Sequence, residues 1–268
     1  MQVLASDGAR IDVRVDGSDA RALVLLAGFP LSREIWDGVV QRLALTHRVV
    51  QPDLRGMGAS SIADGPYLME TLAGDVAAVL DHLGIERVTL VGHSLGGYVA
   101  LAFARMFAER LDGLALVCSR LVADTPEQAR NREDLAERVE RENADKLLVS
   151  AYVDRLLSQD TKAHRRDVFE RVTEIVRRTD PRGAAAMLRG MAMRAGSDDI
   201  APEITVPVLV VAGGGDAVVP LAESRAVAAA FPHATLAIAE RSGHVPMLEE
   251  PERTGSLLAD WLAKISAT

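Results

Sequence analysis

Ser94 lies in Gly92-His93-Ser94-Leu95-Gly96, between the apolar, β-branched run Val88-Thr89-Leu90-Val91 and the small, apolar segment Tyr98-Val99-Ala100-Leu101-Ala102-Phe103-Ala104. The first suits a buried strand and the second a helix packed on a sheet, so the serine is expected on a sharp strand-to-helix turn. Such a turn holds the serine backbone in a strained left-handed conformation, and glycine two residues away on either side removes side chains that would collide. The hydroxyl then stands above the sheet edge. The free N–H of Leu95, at the start of the helix, points at an oxyanion forming beside it. The chemistry implied is nucleophilic attack on a carbonyl. An isolated glycine-x-serine-x-glycine is also an ordinary surface turn, and the strand before and helix after favour the nucleophile here.

A serine hydroxyl is a poor nucleophile at neutral pH and needs a base, which in turn needs a group to orient it. Of six histidines, His47 begins a strand, His82 sits on a helix, His93 is inside the elbow, His164 lies in a charged helical stretch and His233 precedes a strand. Only His244, in Ser242-Gly243-His244-Val245-Pro246, falls just past the C-terminal end of the last strand. The orienting carboxylate should follow another strand at the same sheet edge. Asp216, in Gly213-Gly214-Gly215-Asp216, does so directly after Val-Leu-Val-Val-Ala and completes the order Ser, Asp, His expected of such a sheet. Asp124, after the preceding strand, is the alternative.

The elements that must position these residues alternate. Residues 1–20 predict two short antiparallel strands with turns at Asp7-Gly8 and Asp16-Gly17; Ala22–Ala27, 47–51, 88–91, 111–118, 207–212 and 234–239 predict further strands. Helical stripes lie between them: from Ser32, as a possible N-cap, to about Leu45, then 69–83, the stretch after Ser94, and 221–231, with a last helix ending near Ile265. Asp53-Leu54-Arg55-Gly56-Met57-Gly58 is a turn-rich loop in which two glycines imply unusual backbone angles. Residues 120–199 contain no strand-like run and predict helices at 126–142, 144–157, 162–178 and 181–195, broken at Thr125-Pro126, Thr161 and Asp180-Pro181. The expected architecture is a mainly parallel, doubly wound α/β sheet formed by 1–119 and 200–268, with an inserted all-helical lid at 120–199 and ligands at the carboxyl ends of the strands.

Composition narrows the function classes. With 49% hydrophobic and 25% charged residues the chain reads as an ordinary globular protein. Its net charge of −8 argues against nucleic acid, and the helical stretch 120–199 carries equal numbers of basic and acidic residues, so no polybasic patch stands out. The longest clean apolar stretch, Ala22–Ala27, is too short to span a bilayer, and no charged-then-apolar leader opens the sequence, so a cytoplasmic protein without membrane contact is expected. The single Cys118 ends an apolar strand, where a buried, inert thiol is expected. Histidines at no ligand spacing imply no metal, and the lack of a phosphate loop or dinucleotide glycine pattern implies no cofactor.

Taken together, the elbow GHSLGG, the segment AGFP after the third strand, DLRGMGAS, GGGDAVVP and SGHVPMLEEP make nearly the whole chain resemble the α/β-hydrolase fold family, most of all small serine esterases and enol-lactonases with a helical cap. The resemblance implies Ser94 as nucleophile, Asp216 and His244 as its partners, and the backbone amides of Phe29 and Leu95 as an oxyanion hole. Dehalogenases and epoxide hydrolases, which use an aspartate nucleophile, are set aside by Ser94. One departure is Ala27-Gly28 where the family usually has His-Gly; the amides survive, but a brace on the oxyanion loop is lost. The expected function is cleavage of a small-molecule ester, with lactone or carbon–carbon bond hydrolysis by the same triad as the nearest alternative. A ligand-binding or sensor protein on the same fold, motivated by Ala27, is the alternative of another class. Met187, Met191, Val219 and Val245 are expected to line an apolar pocket for a short, uncharged acyl group. Arg194, near the end of its helix beside Asp198 and Asp199, is expected to be neutralised or solvated.

Overall fold

The strands that read as unbroken apolar runs are covered on both faces. In the computed structural model, which describes residues 1–265, β3 (Ala22–Leu26), β5 (Val88–His93) and β7 (Val208–Gly213) are buried at every position. They are joined by β1 (Gln2–Leu4), β2 (Arg10–Asp16), β4 (Arg48–Pro52), β6 (Leu111–Val117) and β8 (Ala234–Ala239) in one eight-stranded sheet of order β1-β2-β4-β3-β5-β6-β7-β8. Pairing is antiparallel for β1 with β2 and β2 with β4, and parallel from β4 to β8. The opening ribbon is therefore the antiparallel edge that its alternation predicts, and the central strands have the continuous hydrophobicity of doubly covered parallel strands.

Helices α1 (Asp37–Leu43), α2 (Met69–His82) and α3 (Leu95–Met106) connect the first strands, with a 3₁₀ turn at Arg33–Trp36 before α1. Ser32 does not cap that turn: its side chain makes no cap bond and its hydroxyl is buried without a partner among the described residues, while the Arg33 N–H donates to Asp53 Oδ1 at 2.8 Å instead. Between β6 and β7 come α4 (Pro126–Arg141), α5 (Ala144–Leu148), a π-helical turn at Val149–Val153, α6 (Asp154–Leu156), α7 (Gln159–His164), α8 (Arg166–Arg177) and α9 (Pro181–Ala192). A capping box at Thr125 starts α4, and the Asp180 side chain caps α9. The helix expected from 162 begins earlier because Ser158, with extended backbone, accepts the Thr161 N–H; it also breaks at Arg165, where φ −122° and ψ 69° leave the helical region. Helix α4 packs against α9. After β7 follow α10 (Leu221–Ala229), α11 (Pro246–Glu249) and α12 (Pro251–Ile265), the last packed against α1.

The loop after β4 is held from inside. Asp53, 2% exposed, accepts the Arg33 N–H on one carboxylate oxygen and the Ala59 N–H, at 2.9 Å, on the other. Gly58, at φ +52°, has no room for a Cβ against that carboxylate, so glycine is required there on two counts. Beside it the buried Arg55 donates to both oxygens of buried Asp75, at 2.7 and 2.6 Å, and to Asp7 at 2.7 Å. Removing one member of a buried ion pair strands the other charge. Arg55→Leu is therefore expected to lower unfolding free energy by roughly 3 kcal/mol, and Arg55→Leu with Asp75→Leu to recover a large part of it. Urea unfolding of the wild type, both single variants and the double variant measures this. Strictly additive losses would show that the pair does not act as a buried unit.

Candidate active site

Parallel register brings the chemically relevant loops to one edge. Leu26 pairs with Gly92, His93 with Val117, Val117 with Val211, and Gly213 with Ala239, so the chain leaves β3, β5, β6, β7 and β8 on the same side. Ser94 follows β5 directly, with φ +50° and ψ −114°, a conformation that L-residues avoid. A Cβ on Gly92 would overlap the Gly96 carbonyl, and one on Gly96 would overlap the Leu26 carbonyl. The elbow is pinned by the Ser94 N–H donating to Val117 O at 2.9 Å and by the Ser119 hydroxyl donating to Ser94 O at 2.8 Å.

Across the edge, His244 Nδ1 and Asp216 Oδ2 lie 2.8 Å apart, with both side chains at most 2% exposed. The other carboxylate oxygen of Asp216 accepts the N–H groups of Val218, at 2.7 Å, and Val219, at 3.0 Å. Burial works to raise the Asp216 pKa, but the facing imidazole and these hydrogen bonds outweigh it and hold the carboxyl below its ordinary value. An ionised Asp216 fixes the proton of His244 on Nδ1 and leaves Nε2 as the basic nitrogen. The His244 loop is itself anchored: the His244 N–H donates to Leu156 O at 2.8 Å, and buried Glu249 accepts the N–H groups of Gly243 at 2.7 Å and Ser158 at 2.8 Å. Asp124 does not reach His244; it is paired with Arg132. Cys118, Asp216 and His244 form the one cluster of three metal-ligating types among the described residues, within 4.8 Å of one another. Burial, and then the nearby Asp216 charge, keep the Cys118 thiol protonated, while Asp216 and His244 commit their facing atoms to each other.

The residue between Gly92 and Ser94 has a part that sequence reasoning did not give it. His93 is fully buried; its Nδ1 accepts the Gly28 N–H at 3.2 Å and its Nε2 donates to His244 O at 2.8 Å. One ring thus joins the loop after β3 to the loop after β8. The Gly28 amide is braced although Ala27 replaces the histidine usual at that point. Gly28 must be glycine for this approach, since a Cβ there would come within 2.6 Å of His93 Nδ1 and 2.9 Å of Ser94 Cβ. Beyond it the Phe29 and Leu95 amides donate to no group among the described residues.

Ser94 and His244 open into one cavity of about 400 Å³, enclosed partly by α4, α6 and α9. Phe29 and Met191 line it. Met187, Val219 and Val245 do not: all three are buried, and Met187 and Val245 belong to the hydrophobic core. Helical spacing puts Met187 and Met191 on neighbouring turns, but it cannot tell which part of that stripe meets core and which meets cavity. Val218, one residue earlier than expected, faces the cavity. The lining is also more polar than expected, with Arg120, Arg132 and Arg155 among its residues.

Residues 21–251 match the family model described as the alpha/beta hydrolase fold. The chain belongs to the α/β-hydrolase fold family. Within that family it is 35% identical to a thermophilic esterase from Thermogutta terrifontis, solved with malate bound, over 99% of this chain and 98% of that one, with a TM-score of 0.96. The structure of an enol-lactonase from Burkholderia xenovorans is 27% identical, covers 98% of this chain and 100% of that one, and superposes with a TM-score of 0.91. A 3-oxoadipate enol-lactonase from Acinetobacter baylyi is 27% identical over 88% of this chain and 86% of its own length. These relatives support hydrolase activity for this α/β-hydrolase. No helix among the described residues is long and apolar enough to cross a membrane.

The buried bridge makes a prediction about pH. Burial, and then the positive charge available to His244, push the His93 pKa from its ordinary 6.5 down to about 3. The unfolded chain binds a proton at this residue below about pH 6.5 and the folded chain does not. His93 therefore supports the fold fully above that pH and withdraws support as pH falls toward 3, by up to about 1.4 kcal/mol per pH unit. Glutamine can accept and donate similarly without titrating, so His93→Gln should flatten the decline of stability between about pH 6 and pH 4. Urea unfolding across that range provides the measurement; parallel curves for the two proteins would refute a neutral, buried His93.

Proposed function

We propose that the protein is a cofactor-free serine hydrolase that cleaves carboxylic esters through an acyl-enzyme on Ser94. The observation that carries this reading is the buried His244–Asp216 pair, 2.8 Å apart, opening into the same cavity as a serine whose backbone is held at φ +50°. In the proposed cycle His244 Nε2 takes the Ser94 proton as Oγ attacks the ester carbonyl. The carbonyl oxygen becomes an oxyanion held by the Phe29 and Leu95 amides, and Asp216 stabilises the imidazolium without taking its proton. Collapse of the tetrahedral intermediate breaks the carbonyl–alkoxy bond, and the imidazolium protonates the departing alcohol. Water, deprotonated by the same imidazole, then attacks the acyl-enzyme and releases the acid and free Ser94. The helices at 120–199 act as a lid that contributes most of the cavity wall away from Ser94. A lactone ring opens by the same steps, with the alcohol remaining attached to the released acid.

The esterase and enol-lactonase relatives support the reaction class, and the two otherwise unengaged amides beside Ser94 support acyl transfer within it. A fluorophosphonate probe should label Ser94 covalently, since such probes trap an activated serine beside an oxyanion hole. Ser94→Ala and His244→Ala should abolish labelling, read by mass spectrometry of the intact protein. Asp216→Asn should remain folded and lose roughly 10⁴-fold in turnover, because the histidine tautomer is no longer fixed. A folded protein whose Ser94 resists the probe would instead favour the ligand-binding alternative.

A further inference from the structure

The charges around the cavity are not balanced. Three arginines, Arg120, Arg132 and Arg155, line it, and among the described residues no aspartate or glutamate does. Arg120 has Glu223 behind it, with Nε 3.1 Å from Oε1, and also donates to Val218 O at 2.6 Å. Arg132 has Asp124 behind it. A fourth guanidinium, of Arg194, lies 4.0 Å from the centroid of the Tyr98 ring, a ring that itself lines the cavity. Arg194 is 8% exposed, and its guanidinium donates to the carbonyl oxygens of Leu121, Val122 and Ala195. The neutralisation expected from its acidic neighbours does not occur: Asp199 is taken by Arg105, at 2.6 Å, and Asp198 forms no ion pair with Arg194. Four arginines thus stand around the cavity against the carboxylates of Glu223 and Asp124, with a third carboxylate, Asp216, committed to His244. Arg155 is the one that can make a new contact: it is exposed at the cavity and its side chain forms no hydrogen bond or ion pair with another described residue. Its place is also fixed relative to the reacting centre, since the next residue, Leu156, accepts the His244 N–H through its carbonyl.

Resting on the proposed esterase reading, we propose that the cavity selects esters or lactones bearing a free carboxylate, with Arg155 as the anion contact and Arg120, Arg132 and Arg194 supplying a positive field behind it. A carboxylate accepts two parallel N–H groups of a guanidinium, which adds orientation to attraction. With the carboxylate at Arg155 and the scissile carbonyl at Ser94, the substrate is held at both ends. A neutral acyl group gains none of this and leaves cationic groups facing it without a counter-charge. The substrate class is therefore a half-ester of a short dicarboxylic acid, or the lactone of a comparable acid, rather than a short uncharged ester.

The test compares methyl hydrogen succinate and methyl hydrogen glutarate with methyl butyrate, following acid release at constant pH, with Ser94→Ala as blank. The proposal expects a kcat/KM ratio of at least about tenfold in favour of the anionic ester, declining at high salt. Arg155→Ala should bring that ratio to within about threefold of unity, chiefly through KM, and Arg155→Lys should keep part of it. Calorimetry of succinate binding to Ser94→Ala, with and without Arg155→Ala, reads the anion site independently of turnover. Binding that is lost with Arg155 supports the site even if no ester is cleaved, in which case the hydrolase reading alone fails. Equal kcat/KM for neutral and anionic esters, or succinate binding indifferent to Arg155, overturns the proposal.

Discussion

Ser94 can stand where it does only because the chain comes together around it without side chains. The elbow turns at φ +50°, and at Gly92, Gly96 and Gly28 even a methyl group would strike backbone or the neighbouring ring. A non-glycine residue in such a conformation costs on the order of 1–3 kcal/mol, and it persists where the surroundings over-determine it. Here they do. The β5–β6 register fixes the Ser94 N–H on Val117 O, the Ser119 hydroxyl holds the Ser94 carbonyl, and β3 closes the other side through Leu26. The parallel sheet is thus more than a platform: its register spaces the five loops that make the site, and its buried interior rigidifies their roots.

A second tier of contacts couples those loops to one another. His93 holds the Gly28 amide and the His244 carbonyl with its two ring nitrogens, which requires a neutral ring protonated on Nε2. The neighbouring catalytic candidate, His244, needs the opposite tautomer, protonated on Nδ1 toward Asp216. Two imidazoles with centroids 5.0 Å apart are therefore set in different tautomers by different partners. Burial helps keep His93 uncharged, so a proton held on His244 is not shared with the ring beside it. The Leu156 carbonyl and Glu249 extend the same coupling to the inserted helices, so the segment that walls the cavity also braces the His244 loop.

The fold and the geometry around Ser94 were legible in the sequence because they depend on local rules. Strand runs, helix stops at Gly84 and the glycine spacing of the elbow each follow from backbone sterics and hydrophobic period, and the strands fall within a residue or two of where those rules put them. What the sequence did not disclose depends on long-range facing. The bond from His93 to Gly28 spans 65 residues, and no pattern within GHSLGG shows it. The methionine stripe on α9 was visible as a stripe, but only Met191 meets the cavity, since the partner surface is built by distant segments. Arg194 looked destined for neutralisation by the aspartates beside it in sequence; in space Asp199 turns to Arg105, 94 residues away, and Arg194 turns inward to carbonyl groups and an aromatic face. Proximity along the chain is a poor guide to which opposite charges meet once helices pack.

The cavity's charge also runs against that of the whole molecule. A net charge of −8 would repel an anionic substrate at long range if it acted as a point, but counterions screen exposed charges over about 8 Å at physiological ionic strength. Inside a partly enclosed cavity the nearest fixed charges dominate, and low-dielectric walls such as Phe29, Leu135 and Met191 reduce their screening. Arg194 adds to that field without entering the cavity: its guanidinium hydrogen-bonds to neutral carbonyls and forms no ion pair with a described residue, so Asp124 offsets its charge only from a distance and the face of Tyr98 disperses part of it. Burying a guanidinium in this way is costly unless its donors are satisfied, and its Nε remains without a partner. An incompletely satisfied cation behind the cavity wall is hard to explain as a device for stability alone. It makes physical sense where the field it projects favours negative charge inside the cavity.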